Sequence, residues 1–258
     1  AGRLLTSHSS HENPQATARQ ALVVKQVSDY DHAGRVLSTS QQVSEQITPS
    51  GSPQGGMWRN GAWERLSVPT YNPLGQVVSK QLGQLRANAT QPLQTVDFTY
   101  NIRGWLTTIN DAGLSNTVQN DLFGMELDYN APKDLSGAAL ANGQFNGNIA
   151  AQKWRSATDR LARQFSYDYD GLNRLTNAAY SGGKAGENYS TSGIGYDRNG
   201  NIKTMNQWGL QTPTTYGQVD ALTYTYQGNR LQAVTDASQA AASSTASPAG
   251  DFQDGNKA

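Results

Sequence analysis

The residues most able to do chemistry in this chain are carboxylates and histidines that recur at short spacings. Asp168 and Asp170 lie two positions apart, and paired carboxylates can act as a general acid and a general base. His8 and His11 are three positions apart, with Glu12 beside them, a spacing that on a helix could share a metal ion. The Ser- and Asn-rich segment around the histidines indicates a solvated loop, and Asp170 belongs to a repeated turn described below. The sequence therefore predicts no catalytic residue, no metal ligand and no cofactor.

Two further short patterns have a chemical interpretation. Residues 182–186 are Gly-Gly-Lys-Ala-Gly, but a phosphate-binding loop needs Gly-x-x-x-x-Gly-Lys followed by Ser or Thr, between a strand and a helix. The segment is therefore predicted to be a flexible surface loop. Asn88 and Asn188 each begin an Asn-x-Ser/Thr sequon, which matters only in a eukaryotic secretory pathway. The sequence has no Gly-x-Ser-x-Gly nucleophile elbow.

The composition excludes several classes of protein. The 258 residues carry 20 basic and 20 acidic side chains, so the chain lacks the basic excess that binds nucleic acid or anionic membranes. The chain has no Cys, which removes disulfides, zinc–thiolate sites and thiol nucleophiles. Only 36% of the residues are hydrophobic, yet there are 12 Tyr, 5 Trp and 5 Phe at zero net charge. Disordered chains usually combine low hydropathy with high net charge and few aromatics, so this composition predicts an ordered, polar and aromatic architecture.

One short pattern recurs along the chain. It consists of an aromatic residue, Asp or Asn, two variable residues, Gly or Asn, a polar residue and an aliphatic residue. Full copies begin at Tyr30, Tyr71, Tyr100, Tyr169 and Tyr196, and shortened copies begin at Phe145, Tyr226 and Phe252. The residues that define the motif are Tyr30, Asp31, Gly34, Tyr71, Asn72, Gly75, Tyr100, Asn101, Gly104, Tyr169, Asp170, Asn173, Tyr196, Asp197, Gly200, Tyr226 and Gly228.

Each copy is typical of a β-hairpin. The segments before the motif alternate with period 2, as in residues 96–100, 165–169 and 222–226, so their aromatic side chains share one face of a strand. Asp or Asn can bond to the backbone two residues ahead and start a turn, and the later Gly or Asn accepts the positive φ that the turn requires. Helix signals are weak, and residues 149–165, although rich in helix-forming residue types, are predicted to be extended.

The two ends of the chain match parts of the repeat. Residues 1–7 align with residues 33–39, and the last copy stops where its departing strand should begin. We therefore expect residues 1–258 to be one segment of a longer protein, cut within a repeat at both ends, whose strand edges are covered by neighbours. Surface loops are predicted at residues 48–56, 135–143, 182–186 and in the Ala/Ser-rich run 237–250.

The pattern Tyr-Asp-x-x-Gly-Arg-Leu closely resembles the Rhs or YD repeat, and the resemblance covers nearly the whole chain. That family includes bacterial polymorphic toxins, the cocoon components of insecticidal toxin complexes and the animal teneurins. The resemblance implies an all-β fold, in which repeated antiparallel β-hairpins form part of a spiralling β-sheet shell. It also implies that the motif tyrosines stack and that Asp31, Asp170 and Asp197 form turns. Bacterial members release a toxin by self-cleavage near an Asp-Pro sequence, and no Asp-Pro occurs here, so that region would lie outside this chain.

The resemblance further implies a structural, non-enzymatic role. The segment would be part of a shell that encapsulates a C-terminal toxin or other cargo, in a protein that a bacterium secretes or displays at its cell surface. The expected partners are the rest of the same polypeptide or a partner chain that covers the strand edges. Neither nucleic-acid binding nor membrane insertion is expected of this segment.

Two other functions compete with the shell. The chain could be a cell-surface adhesin that recognises glycans or a protein partner through exposed aromatic side chains, with Trp58 and Trp63 as the contacts. The competing explanation is that the tryptophans pack between strands, as Trp105 does by its place inside a repeat. The other two tryptophans are Trp154 and Trp208. An enzyme that uses Asp168 and Asp170 is the third hypothesis.

Overall fold

The structure is a computed structural model that describes residues 5–13, 20–47, 57–84, 91–115 and 121–238. Several sequence predictions fall outside these residues. They are the alignment of residues 1–4 with the repeat, the loop at 48–56, the sequon at Asn88, most of the run 237–250 and the copy at Phe252. The described residues divide into two compact units, one built mainly from residues 1–99 and the other from residues 100–115 and 122–258.

The first unit is a sheet of consecutive antiparallel strands. Its strands are β1 (Thr6–Asn13), β2 (Gln20–Tyr30), β3 (Val36–Ile47), β4 (Met57–Tyr71), β5 (Val77–Gln84) and β6 (Gln94–Tyr100). Each strand pairs antiparallel with the next along the chain.

The second unit repeats this arrangement. Its strands are β7 (Leu106–Ile109), β8 (Phe123–Asp128), β9 (Ala151–Ser156), β10 (Arg163–Tyr169), β11 (Leu175–Gly182), β12 (Thr191–Tyr196), β13 (Ile202–Thr212), β14 (Thr215–Gln227) and β15 (Arg230–Asp236). Each again pairs antiparallel with its successor. The described residues contain no α-helix. The predicted all-β class of repeated antiparallel hairpins is therefore confirmed. Residues 149–165 form no helix, as predicted, but their two strand segments, 151–156 and 163–165, are separated by a turn at residues 157–159.

A β-bulge precedes the motif tyrosine in most of the hairpins. The register shifts by one residue just before Tyr30, Tyr71, Tyr169, Tyr196 and Tyr226. A bulge of this kind bends the strand and increases its right-handed twist. The repeat therefore adds twist at the same place in successive hairpins.

The sheet has a sparse apolar core, which explains the low hydropathy. The buried apolar side chains are small or isolated, and include Ala21, Leu127, Ala150, Ala151, Ala178, Ile194, Val219 and Leu222. Most strand residues are half-buried, so cross-strand pairs and hydrogen bonds replace a thick aliphatic layer.

The histidine segment differs from the sequence prediction. Residues 7–14 are predicted to form a loop, but residues 7–13 belong to strand β1, in which His8 is opposite Lys25 and His11 is opposite Leu22. Hydrogen bonding to β2 imposes the extended conformation despite the Ser-rich sequence. Residues three apart on a strand point to opposite faces, so the two imidazoles diverge. Among the described residues, no helix has the length and apolar character needed to cross a membrane.

Candidate functional site: the repeat turns and an aromatic cavity

The turn of each full motif copy is closed by the side chain of its second residue. In the copy that begins at Tyr169, the Asp170 carboxylate accepts hydrogen bonds from the backbone N–H groups of Leu172 and Arg174 at 2.9 and 3.0 Å. The backbone N–H of Asn173 also donates to the carbonyl of Asp170. Asp31, Asn72, Asn101 and Asp197 make the equivalent bonds in their own copies. The predicted turn role of these residues is confirmed, and Asn serves as well as Asp because both offer a carbonyl-type oxygen.

The fifth motif position carries the positive φ that was predicted. Four glycines occupy it, with φ of 88° at Gly34, 84° at Gly75, 81° at Gly104 and 87° at Gly200. Asn173 takes the same position with φ of 61°. The shortened copy differs, because Gly228 lies first in a two-residue turn between Gln227 and Arg230, with φ of 60°, as a type II′ turn requires.

The sixth motif residue joins each hairpin to the next one. Arg174 forms an ion pair with Asp170 of its own turn at 2.6 Å, and its guanidinium lies 4.3 Å from the ring centroid of Tyr196 in the following copy. Arg35 is placed in the same way, paired with Asp31 and 4.9 Å from the Tyr71 ring. A planar guanidinium can make both contacts at once, since its edge donates hydrogen bonds while its face stacks on a ring.

Trp105 occupies the same motif position and makes the same kind of contact. Its ring centroid is 5.1 Å from that of Tyr129, and the Arg103 guanidinium also lies over the Trp105 ring, 5.0 Å from its centroid. The prediction that Trp105 packs within a repeat is confirmed. Tyr129 was not recognised as a motif residue from the sequence.

The hydroxyl groups of the motif tyrosines form a second connection between hairpins. In five copies the hydroxyl donates to the backbone carbonyl of the aliphatic residue that ends the preceding copy of the motif. The pairs are Tyr71 to Val36, Tyr129 to Leu106, Tyr169 to Ile149, Tyr196 to Leu175 and Tyr226 to Ile202, at 2.7–2.9 Å. Ring and hydroxyl together therefore fix the lateral position of one hairpin on its predecessor.

The shortened copy predicted at Phe145 is only partly correct: Asn146 forms a turn by accepting from the Asn148 backbone N–H at 3.0 Å, but Phe145 does not take the place of the motif tyrosine. No strand leads into Phe145, whose side chain is 69% exposed. The strand that leads into this repeat is β8, which ends beside Tyr129, and Ile149 is the aliphatic residue that accepts the hydroxyl of Tyr169. Residues 129–130 and 145–149 are thus the two halves of one motif, separated by an insertion of residues 131–144. Pattern matching missed this copy because it assumes a continuous motif.

The insertion covers one face of the sheet and contains a turn of the same kind. Asp134 accepts hydrogen bonds from the backbone N–H groups of Ser136 and Ala138 at 2.8 and 2.9 Å, where a plain loop was predicted for residues 135–143. Gln164 is 2% exposed and donates through Nε2 to the carbonyl of Lys133 at 2.9 Å. The Asp-x-x-Gly spacing at Asp134 could have revealed this turn, although no aromatic residue precedes it.

The turn carboxylates are held in their ionised form. Backbone and side-chain hydrogen bonds from Arg35 lower the pKa of Asp31 to about 2. The side-chain and backbone hydrogen bonds from Arg174 lower the pKa of Asp170, and those from Asn201 lower the pKa of Asp197. Asp168 has a different partner, since it accepts from Asn177 Nδ2 at 3.1 Å. Asp168 and Asp170 are therefore engaged separately, one between strands and the other in the turn.

A ladder of aromatic rings crosses the second unit. Trp154 stacks on Phe165 at 5.5 Å, and Phe165 meets Tyr180 edge to face at 5.3 Å. The ladder continues through Tyr189 and Tyr216, again edge to face at 5.5 and 5.4 Å. These five residues, with Arg163, Lys184 and Glu187, line a cavity of about 460 Å³. No sequence motif signals this site, because its residues come from four strands and one loop.

An ionic cluster closes one side of this cavity. The guanidinium of Arg163 binds Asp159 at 2.6 Å and Glu187 at 2.8 Å, and Glu187, only 3% exposed, also accepts a hydrogen bond from the Tyr180 hydroxyl. Burial alone would raise the pKa of Glu187. The hydrogen bonds from Arg163, Tyr180 and the Lys184 backbone outweigh it and lower that pKa to about 2.

The glycine-rich loop at 182–186 positions this cluster. Gly182, Gly183 and Gly186 have φ of 90°, 71° and 80°, and the backbone N–H of Lys184 donates to Glu187 Oε2 at 2.9 Å. A Cβ on Gly183 would lie 2.5 Å from the Glu187 carboxyl group. The surface loop predicted here is present, and its backbone binds the protein's own carboxylate in the way a phosphate loop binds an anion.

Trp58 and Trp63, the sequence candidates for glycan contacts, both lie on β4. Their side chains are 46% and 38% exposed, and the Lys25 ammonium lies 5.7 Å from the Trp63 ring centroid. Trp154 belongs to the aromatic ladder instead, and Trp208 is half-buried on β13.

Comparison with known proteins provides little further information. No family model matches the chain, and no curated protein matches it. Among solved structures, a porin-like protein from Bacteroides uniformis is similar at 11% sequence identity and a TM-score of 0.26, over 90% of this chain and 93% of that chain. A TM-score this low supports no conclusion about fold or function.

Proposed function

We propose that this chain is a β-hairpin repeat segment of a large exported bacterial protein of the Rhs or YD-repeat type. Its role is structural and non-enzymatic: it forms part of the wall of a β-shell that encapsulates a C-terminal toxin or other cargo. The observation that carries this proposal is the double connection between successive copies, in which a tyrosine binds the preceding hairpin through both its ring and its hydroxyl.

This connection is suited to building a wall. Each hairpin contacts its neighbours in the chain through the same few groups, so hairpins can be added one after another without a new core at each step. The residues of the motif form turns and contacts between copies, so their role in this proposal is structural. A shell also removes the exposed strand edges that a long open sheet would present.

The same proposal defines partners and location. The segment's partners are other repeats and the cargo of the same polypeptide, or a second chain that covers its strand edges. The full-length protein is secreted by a bacterium or displayed at its surface. The zero net charge agrees with a wall that holds no nucleic acid.

The test uses the full-length polypeptide that contains this segment. Electron microscopy is expected to show a closed hollow particle, and limited proteolysis is expected to spare the C-terminal region while the particle is intact. Mild denaturant that opens the particle should make that region cleavable. An open, extended sheet, or a C-terminal region cleaved at the same rate with and without denaturant, would contradict the proposal.

A second candidate function is glycan or protein recognition at a bacterial surface. It is favoured by the exposure of Trp58 and Trp63 on one strand, since large exposed aromatics often mark binding surfaces. Binding of this chain to a glycan array, lost in Trp58→Ala or Trp63→Ala but kept in Trp208→Phe, would support this candidate. An array without any signal would count against it.

A further inference from the structure

The cavity beside the aromatic ladder has one charged group available to a ligand. Glu187 is saturated, because its two oxygens accept from Arg163, Tyr180 and the Lys184 backbone. Arg163 is engaged by Asp159 and Glu187. The Lys184 side chain is exposed, and its ammonium makes no hydrogen bond or ion pair to any residue that the structure describes.

The charges of the lining select the sign of a ligand. Arg163 and Lys184 are balanced by Glu187 and by Asp159, which pairs with Arg163 just outside the lining, so the site as a whole is neutral. Lys184 is the charged group of the lining that forms no ion pair with a described residue. A quaternary ammonium, the usual ligand of an aromatic cage, would be repelled by Lys184 and would find the only lining carboxylate already neutralised. An anionic group can instead form a charge-assisted hydrogen bond with the Lys184 ammonium.

The aromatic rings of the cavity indicate what kind of uncharged group a ligand would place against them. Tyr189 meets Tyr180 at 87° and Tyr216 at 83°, so neighbouring rings present alternating faces and edges. Ring faces carry negative charge density and attract the C–H groups of a ligand. The Tyr180 hydroxyl already donates to Glu187, and the Tyr189 and Tyr216 hydroxyls bond to each other, which leaves one hydroxyl of that pair able to donate to a ligand. A pyranose ring has C–H groups on its faces and hydroxyls at its rim. The volume of about 460 Å³ falls within the usual range of small-molecule sites.

We propose that this cavity binds an acidic saccharide, a hexuronate-type sugar whose ring packs on Tyr189 and Trp154 and whose carboxylate binds the Lys184 ammonium. The site differs from Trp58 and Trp63 and does not depend on the shell. Because it uses groups that the repeat motif does not need, it can fail or succeed independently of the structural role.

The test compares two sugars on the purified chain. Isothermal titration calorimetry is carried out with a galacturonate trisaccharide and with the neutral galactose trisaccharide of the same linkage. The acidic sugar is expected to bind at least about tenfold more tightly than the neutral sugar. Raising the salt concentration should weaken binding of the acidic sugar but not of the neutral one. Lys184→Gln should remove this preference, and Tyr189→Ala should weaken both sugars. The matched control is Lys203→Gln, another exposed lysine, which should change neither.

Three results would overturn the inference. The first is the absence of heat from the galacturonate trisaccharide at millimolar concentration. The second is equal binding of that sugar by the Lys184→Gln and Lys203→Gln variants. The third is binding of 4-hydroxyphenylacetate that depends on Lys184, with no detectable binding of either trisaccharide. The cavity would then be a site for flat aromatic anions and not for sugars. Circular dichroism spectra of the variants, matched to the parent chain, separate loss of binding from loss of folding.

Discussion

The guanidinium of Arg174 lies 4.3 Å from the ring centroid of Tyr196, and the Tyr196 hydroxyl donates to the carbonyl of Leu175 at 2.7 Å. Adjacent residues at the start of one departing strand thus hold opposite parts of a single tyrosine from the next hairpin. The same relationship joins Arg35 and Val36 to Tyr71. The first, sixth and seventh positions of the motif therefore connect one copy to the next, in addition to any role in their own turn.

The hydroxyl of Tyr196 should make a measurable contribution to stability. Tyr196→Phe keeps the ring under Arg174 but removes the hydrogen bond to Leu175, which should lower the free energy of unfolding by about 0.5–1.5 kcal/mol. Urea denaturation measures this change. The matched control is Tyr224→Phe on β14, because the Tyr224 hydroxyl makes no hydrogen bond to any described residue. Equal effects of the two substitutions would contradict the role assigned to the Tyr196 hydroxyl.

Two glycines can test whether the fifth motif position needs glycine because of its backbone conformation. Both have room for a Cβ atom, so substitution with alanine causes no steric clash at either one. An added Cβ would meet no atom within 4 Å at either Gly171 or Gly200, but only Gly200 has a positive φ, of 87°. Gly200→Ala should cost about 1–2 kcal/mol of stability, whereas Gly171→Ala should be neutral or stabilise by about 0.4–1 kcal/mol. Gly200→Asn should cost less than Gly200→Ala, since Asn173 already occupies this position. Indistinguishable unfolding midpoints for the two alanine variants would rule out backbone strain as the reason for glycine.

The Arg163–Glu187 pair should make stability depend on pH in acid. The pKa of Glu187 is lowered from 4.5 to about 2, so the folded state favours the ionised carboxylate. Its contribution to stability is complete above about pH 4.5 and is lost as the pH falls towards 2. Glu187→Gln should therefore be less stable than the parent at pH 7, and the two stability curves should converge near pH 2. The stability of the variant should still fall somewhat as the pH decreases, because the pKa values of Asp159 and Asp31 are also lowered to about 2.

The control for this titration is Glu45→Gln. Glu45 pairs with Arg59 at 3.6 Å, but both side chains are more than half exposed, and such pairs contribute little. Urea unfolding measured from pH 2 to pH 7 should give parallel curves for Glu45→Gln and the parent chain. A Glu187→Gln curve that also stays parallel to the parent would show that the pair does not stabilise the fold.

Sequence alone predicted the local features and missed those that join separate copies. The turn role of Asp170 and the positive φ of Asn173 follow from rules that act within a few residues, so they could be read directly. The contact of Arg174 with Tyr196 could not, because it depends on how two hairpins pair side by side. The aromatic cavity was missed for the same reason, since Trp154 and Tyr216 are brought together only by the sheet. The β1 strand was mistaken for a loop because pairing with β2 overrides the local preferences of Ser and His.

The split repeat provides a final prediction, because removing its insertion should restore a continuous motif. Deletion of residues 131–144 joins Asn130 to Phe145 and leaves the sequence Tyr-Asn-Phe-Asn-Gly-Asn-Ile, with Gly147, whose φ is already 103°, at the fifth position. We expect β8 and β9 to stay paired and their amide protons to stay protected in hydrogen exchange. Overall stability should fall, since the buried Pro132 and the bond from Gln164 to Lys133 are lost.

The control is a deletion that is one residue longer. Removal of residues 131–145 leaves one residue too few between Asn130 and Gly147, so the turn cannot close in the register that places Ile149 under the Tyr169 hydroxyl. This variant should lose amide protection in β8 and β9. If both deletions protect these strands equally, or if both lose protection, then residues 129–130 and 145–149 do not act as one interrupted motif. Protection in the shorter deletion alone would show that the insertion interrupts a turn that closes without it.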